Sequence, residues 1–414
     1  MDVPLAPAPY RSGPGRLDGH PLRQLDHGHG ADAPPGDLSR GDEVHRSDRP
    51  RLRRRSPGAG DRRGSRRELR TGREAFLTSG APARERETIL LGRRDVADLL
   101  SLAECVDAVE EAFGLHARGE TLSPAILGVR AANGGFHVKA AGLKLPGRAY
   151  FAAKTNANFP GNRERFGLPT IQGIVLLFDA NNGVPLAALD SIEITILRTG
   201  AATAVAAKRL ARSDSRTATV VGCGEQGRVQ LAALLGVLPI ERVLVFDADP
   251  DRARRFGEER SRELSIPVEA ATDLAAAVRS SDVCVTCTPS RAPLVWNDDV
   301  RDGTFLAAVG ADSAEKQELD PRLLARAKVV VDSLEQCAGI GELHHAIAAG
   351  LVTNTDVHAE LADLVIGRRA GRESADEVTI FDSTGTALED VAAAAAVYEK
   401  ALAAGRGTRF RFSG

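Results

Sequence analysis

Long apolar runs are missing from this 414-residue chain, and so is a charge of one sign. No stretch of about 18 consecutive apolar residues occurs, which excludes a membrane-spanning helix. Lys and Arg number 54 against 56 Asp and Glu, a net charge of −2. That balance argues against a whole-protein field aimed at nucleic acid or an anionic membrane. The opening MDVPLAPAPY lacks the basic-then-apolar order of a secretory signal. Cysteine is scarce, with five residues (Cys105, Cys223, Cys284, Cys287, Cys337) in an odd, scattered set. The simplest reading is a reduced, cytoplasmic protein with no metal site. Cys284 and Cys287 form a CxxC, but inside DVCVTCTP, a β-branched run that reads as a buried strand. Strand residues three apart face opposite sides, so the two thiols do not converge as a zinc or redox pair.

What is there is 43% hydrophobic content, enough to bury two ordinary cores. It is unevenly spread. Residues 1–85 are rich in Pro, Gly, Arg, Asp and His, and residues 46–73 hold twelve arginines. Such a segment cannot bury enough apolar surface to offset its ordering entropy, and the expectation is a disordered extension. A nucleic-acid-binding arm is the alternative. It lacks the interleaved aromatics that stack on bases, and Pro and Gly break any basic helix.

From Thr88 the pattern is ordered. ETILLGRRDVADLLS reads as a strand and a helix start, and LAECVDAVEEAFGLHARG as a helix ending at Gly119. Strand-rich sequence follows over 125–189, with turn signals at Asn133-Gly134 and Asn182-Gly183. ITILRTGAATAVAAKRLAR is helical, and its small residues suit close packing. Beyond it strands and helices alternate: TATVVG, RVLVFDAD, DVCVTCTP, TFLAAVGA, AKVVVDS and EVTIFDSTG as strands, then the Ala-rich helix DVAAAAAVYEKALAAG. This order predicts an α/β fold with a parallel sheet. No internal repeat is visible.

TVVGCGEQGRVQ, residues 219–230, carries Gly222, Gly224 and Gly227. A lone GxGxxG says little. Here it follows a strand, opens a helix, and has Asp247 at the end of the next strand. In a dinucleotide fingerprint the first glycine makes the tight turn, the second admits a pyrophosphate and the third lets helix and strand pack closely. The helix N-terminus offers free N–H groups to phosphate. Asp247 suits both ribose hydroxyls and repels a 2′-phosphate, favouring NAD over NADP, with Arg252, Arg254 and Arg255 nearby as the contrary signal.

Four cations stand in mostly apolar contexts: Arg130, Lys139, Lys154 and Arg198, with His137 beside them. Lys and Arg are seldom buried without a partner, and an anionic substrate is one. Water or surface ion pairs are the plainer account. Asp312, just past TFLAAVGA, falls at the carboxyl edge of the sheet, where such folds do chemistry. It suits a general base toward an amine, or, with Glu315, a helix cap.

These blocks, namely KTNANFPGN, GLPTIQG, DSIEITILRTGAATAVAAKRLAR, VVGCGEQG, AVGADSAEKQELD and EVTIFDSTGTALEDVA, resemble the ornithine cyclodeaminase/μ-crystallin family over about 88–412, most nearly its archaeal-type alanine dehydrogenase branch. The resemblance implies a Rossmann-type NAD domain over 200–387 and an α+β substrate and dimerisation domain over 88–199 and 388–412. It implies catalytic roles for Asp312 and Lys154, and substrate contacts from Arg130, Lys154, Arg198, His137 and Lys139. Cofactor contacts would come from Thr199, Gly222, Gly224, Gln226, Gly227, Asp247, Thr288 and Ser383. The implied protein is a cytoplasmic homodimer acting on a small amino acid or imine, with no nucleic-acid or membrane partner. Its expected reaction is hydride transfer between an amino-acid α-carbon and NAD with ammonia release. The alternatives are ornithine cyclodeamination to proline, cyclic imine reduction, or non-catalytic crystallin-like binding. Where many members have Met-Pro this chain has Lys139-Ala140, and His137 also departs from the usual Glu or Arg.

Overall fold

In the computed structural model residues 87–412 are described; the expected disordered extension over 1–85 lies outside the described residues. The strands in chain order are β1 (Thr88–Leu91), β2 (Thr121–Ala131), β3 (Gly134–Leu145), β4 (Arg148–Asn158), β5 (Ile171–Asp179), β6 (Pro185–Asp190), β7 (Thr217–Val221), β8 (Arg242–Phe246) and β9 (Val268–Ala270). They continue with β10 (Val283–Thr286), β11 (Arg291–Val295), β12 (Phe305–Ala308), β13 (Gln317–Leu319), β14 (Lys328–Val331), β15 (Ala359–Glu360), β16 (Thr379–Asp382) and β17 (Thr408–Phe410).

The first sheet runs β17-β1-β6-β5-β4-β3-β2 and is antiparallel except where β1 meets β6. Its inner face is covered by the Ala-rich helix Ala387–Ala404, which packs on β3 and β4. Helix Ser191–Leu210 packs on β5 and on helix Leu102–Ala117. On β5, Val175 and Leu177 point into this core while Ile174 and Leu176 alternate with them and stay exposed. The period of two explains the split, and it leaves an outer face that is also apolar, with Leu127 and Val129 on β2 and Phe136 on β3.

The second sheet runs β15-β14-β16-β12-β10-β7-β8-β9, and every pairing in it is parallel. Its central strands are short and almost wholly buried runs, rich in Val, Phe, Ile and Ala, as a sheet covered on both faces requires. The strand order reverses direction on either side of the β7–β10 pair, which is where such sheets open a ligand crevice. Helix Ser191–Leu210 joins the two halves. Its Gly200 leaves so little room that an added Cβ would lie 2.7 Å from Val229 Cγ2 on the helix after β7. The close packing expected from its small residues is therefore present. No helix among the described residues is long and apolar enough to cross a membrane.

Candidate active site

At the crevice, the chain turns sharply out of β7. Gly222 has φ +110°, a conformation that side chains avoid. Gly227 sits against that turn, and a Cβ on it would lie 2.1 Å from Gly222 O. Gly224 caps helix Glu225–Val237 and faces open space, with nothing within 4 Å of an added Cβ. The three glycines thus do three separate jobs: turn, clearance and close packing. Asp247 ends just beyond β8, its Oδ2 accepting from Cys223 N (2.9 Å) and its Oδ1 from Asp249 N (2.9 Å). Arg252 Nη1 is 3.5 Å from Asp247 Oδ1. An anion-ready helix end, room at Gly224 and an acid at the tip of β8 fit a dinucleotide.

The loops flanking this turn are held by buried carboxylates. Glu318 accepts from Thr288 N (2.6 Å), Thr288 Oγ1 (2.7 Å) and Gly310 N (2.9 Å), tying the segments after β10 and β12 together. Burial raises its proton affinity. Asp332 accepts from Ser383 Oγ (2.9 Å) and Gly385 N (2.6 Å), fixing loop 383–386 after β16. Thr199 Oγ1 donates to Thr195 O within its helix (2.7 Å). Gln226 lies in the first turn of the helix after β7.

Loop 383–386 leads into helix Ala387–Ala404, whose first turn carries Glu389 and Asp390. Acids there complement the helix dipole, and Glu389 also closes a capping box with Thr386. Both face cations of the first half. Lys154 Nζ lies 2.7 Å from Asp390 Oδ1; Arg198 Nη1 is 3.0 Å from Glu389 Oε2 and its Nε 3.3 Å from Asp390 Oδ1. All four side chains are buried. Burial pushes Lys154 down to about 8, with Asp390 opposing and Arg198 and Lys139 assisting. Burial opposes the charge of Arg198 too, but Glu389 and Asp390 outweigh it and hold the guanidinium firmly protonated.

Lys139 lies directly opposite Lys154 in the β3–β4 register, so both point to the same face. Its Nζ donates to Thr384 O (3.0 Å) and Gly385 O (2.6 Å). Burial, then Arg198, lowers its proton affinity, while Asp390, Asp312 and Asp332 counter this. Lys139 is therefore within electrostatic reach of both the cation–acid cluster and Asp312.

Asp312 heads no helix, so the capping alternative drops out; it lies in the irregular segment after β12. Its Oδ1 accepts from Lys316 Nζ at 2.5 Å. Crowding by protein would raise its proton affinity, but Lys316 outweighs this, with smaller help from Lys139 and His137, and keeps it ionised below its ordinary range. His137, two residues before Lys139 on β3, is exposed. Arg130 stands apart from the cluster. Its side chain is 96% exposed and reaches Glu315 Oε1 at 3.8 Å, while Arg291 Nη2 takes Oε2 at 3.2 Å.

The structure thus brings Lys139, Lys154 and Arg198 together, places Asp312 within electrostatic reach of Lys139 and His137, and keeps Arg130 at the rim. Reading the sequence missed the partners Glu389, Asp390, Asp332 and Lys316. Two adjacent acids at the head of an Ala-rich helix were the available signal for the first pair. Among the described residues all five cysteines are free, and no group of metal-ligating side chains forms.

Residues 86–405 match the ornithine cyclodeaminase/mu-crystallin family. An alanine dehydrogenase from Archaeoglobus fulgidus is 40% identical over 327 residues, 79% of this chain and 99% of its own. The solved structure of an archaeal alanine dehydrogenase dimer with bound NAD superposes with a TM-score of 0.75 at 40% identity, covering 79% of this chain and 100% of that one. Thermococcus litoralis Δ1-pyrroline-2-carboxylate reductase, solved with NADH and L-proline, gives 0.74 at 36% identity over 78% and 99% of the two chains. The chain belongs to the ornithine cyclodeaminase/mu-crystallin family.

Proposed function

We propose that this protein is an NAD-dependent amino-acid oxidoreductase that releases ammonia. What supports this reading is a dinucleotide-fitting glycine turn together with an ionised Asp312 that lies within electrostatic reach of Lys139, which stands beside Lys154 and Arg198. The relatives solved with NAD or NADH support the cofactor. NAD, when bound, supplies the hydride acceptor, so that amino acid, NAD⁺ and water give 2-oxo acid, ammonium, NADH and a proton.

The chain's own residues do the rest. Lys154 and Arg198 hold the substrate carboxylate and so orient the α-carbon. Asp312, kept as a carboxylate by Lys316, takes a proton from the substrate nitrogen or from the attacking water. The loops after β10, β12 and β16, pinned by Glu318 and Asp332, fix the cofactor side, with Thr199, Gln226, Thr288 and Ser383 among its contacts. Arg130 and His137 stand at the entrance as carboxylate contacts. In this reading 88–199 with 388–412 is the substrate half and 200–387 the NAD half.

The apolar outer face of the first sheet is the dimer surface. Strands with both faces apolar need a cover, and a second copy supplies one. Light scattering should give a dimer, and Leu176→Asp should shift it toward monomer; a wild-type monomer overturns this assignment. The free cysteines suit a cytoplasmic setting.

Incubating the purified protein and NAD⁺ with a panel of amino acids, while following NADH and ammonia, tests the function. Both products together are expected. Ammonia without NADH from ornithine would make it a cyclodeaminase, and neither product, with NAD still bound, a crystallin-like binder.

A further inference from the structure

The oxidoreductase reading leaves one cation of the crevice without a carboxylate. Resting on that reading, we propose that Lys139 selects a substrate whose side chain bears a second carboxylate. Lys139 and Lys154 are directly opposed on neighbouring antiparallel strands. Such residues have Cβ atoms about 5 Å apart, and like charges so placed destabilise the sheet. Arg198 adds a third cation that disfavours the charge on both lysines. Two of the three are compensated: Lys154 by Asp390, and Arg198 by Glu389 and Asp390.

Lys139 differs. It makes no ion pair among the described residues, and its Nζ rests on the neutral carbonyls of Thr384 and Gly385. An ammonium with two such acceptors keeps one N–H and its full charge for a ligand. The nearby acids are engaged elsewhere, Asp312 by Lys316 and Asp332 by Ser383 and Gly385. Lys139 is also partly exposed, whereas Lys154 is buried, which puts Lys139 on the accessible wall.

With the α-carboxylate on Lys154 and Arg198, Lys139 meets the substrate side chain. A carboxylate there relieves the lysine–lysine repulsion. A methyl group leaves it as it was, and a terminal ammonium adds a further like charge. The expected order is aspartate-type substrates, then alanine, then ornithine.

The test uses the full chain with NAD⁺ and each of L-aspartate, L-alanine and L-ornithine. Aspartate should exceed alanine in kcat/KM by about tenfold or more, the size expected of one desolvated charge contact. Lys139→Met should remove most of that ratio, and Lys139→Arg, which keeps the charge, should preserve it. A readout without turnover accompanies these. Succinate should raise the melting temperature of the NAD⁺-loaded protein more than propionate does, and Lys139→Met should erase the difference. If alanine or ornithine outruns aspartate in the wild type, or the ratio survives Lys139→Met, the proposal is wrong while the oxidoreductase reading stands. If no amino acid yields NADH or ammonia, that reading fails, and the succinate–propionate comparison alone decides for or against Lys139. Should Lys139→Met not fold, the wild-type ranking still decides.

Discussion

The two sides of the crevice are built in different ways. The cofactor side is a backbone construction: a left-handed turn at Gly222, a bare Gly224, a helix end, and an acid on the next strand, all between residues 217 and 247. The side proposed to take the substrate is a side-chain construction, with Lys139 and Lys154 from the first sheet, Arg198 from the joining helix, Asp312 from the segment after β12 and Glu389 and Asp390 from the last helix. A backbone site tolerates change anywhere except at its few steric points. A charge cluster spreads its vulnerability over every member, because removing one partner strands another in a buried place.

That contrast can be broken most severely at Asp312. Asp312→Asn should lower kcat by roughly 10²–10⁴-fold, the usual worth of a positioned acid or base, while leaving the NAD dissociation constant unchanged. Steady-state kinetics beside cofactor titration checks it; a coupled loss of NAD binding would place the residue on the wrong side. Asp390→Ala should strand Lys154 and part of Arg198, costing about 3–5 kcal/mol in stability by denaturant unfolding. Gly227→Ala forces a Cβ against Gly222 O and should weaken NAD binding by roughly 100-fold, near 3 kcal/mol, with little change in the substrate half. Cofactor fluorescence titration reads it.

The pH dependence separates the sides as well. If Lys154, pushed down to about 8, holds the substrate carboxylate as proposed, it must be charged to do so, and kcat/KM should fall as pH rises through about 8. Stability moves the other way for this group. Above its lowered folded value the unfolded chain still binds the proton, so its contribution grows with pH until the ordinary lysine value is passed. Lys154→Arg should carry the alkaline limb upward; an unmoved limb would assign it elsewhere. The smallest effect is expected at the rim. Glu315→Gln loosens an exposed pair with Arg130 and should change stability by less than about 1 kcal/mol, measured by thermal unfolding.

How much of this could be read beforehand follows the same line. The glycine turn and Asp247 were legible because their requirements are local: positive φ, clearance and a strand–turn–helix order within one short stretch. The cations were visible as residues out of place in apolar contexts, yet their partners were not. Glu389 lies 191 residues from Arg198, and nothing in spacing joins them. Lys316 sits four residues after Asp312, but no helix spans the two, so no helical spacing points to their contact. Arg130 looked like its neighbours in sequence and stands apart from them in space.

The sequence by itself determined the main alternation of strands and helices, the parallel character of the second sheet, and the place of the dinucleotide turn, since these rest on periodicity and on what a missing side chain permits. Only the tertiary structure decided which charges meet. Opposition of Lys139 and Lys154 depends on the β3–β4 register, and the pairing of Lys154 and Arg198 with Asp390 and Glu389 depends on the last helix returning across the first sheet. The physical reason is range: backbone sterics act between neighbours in the chain, whereas charges act between neighbours in space.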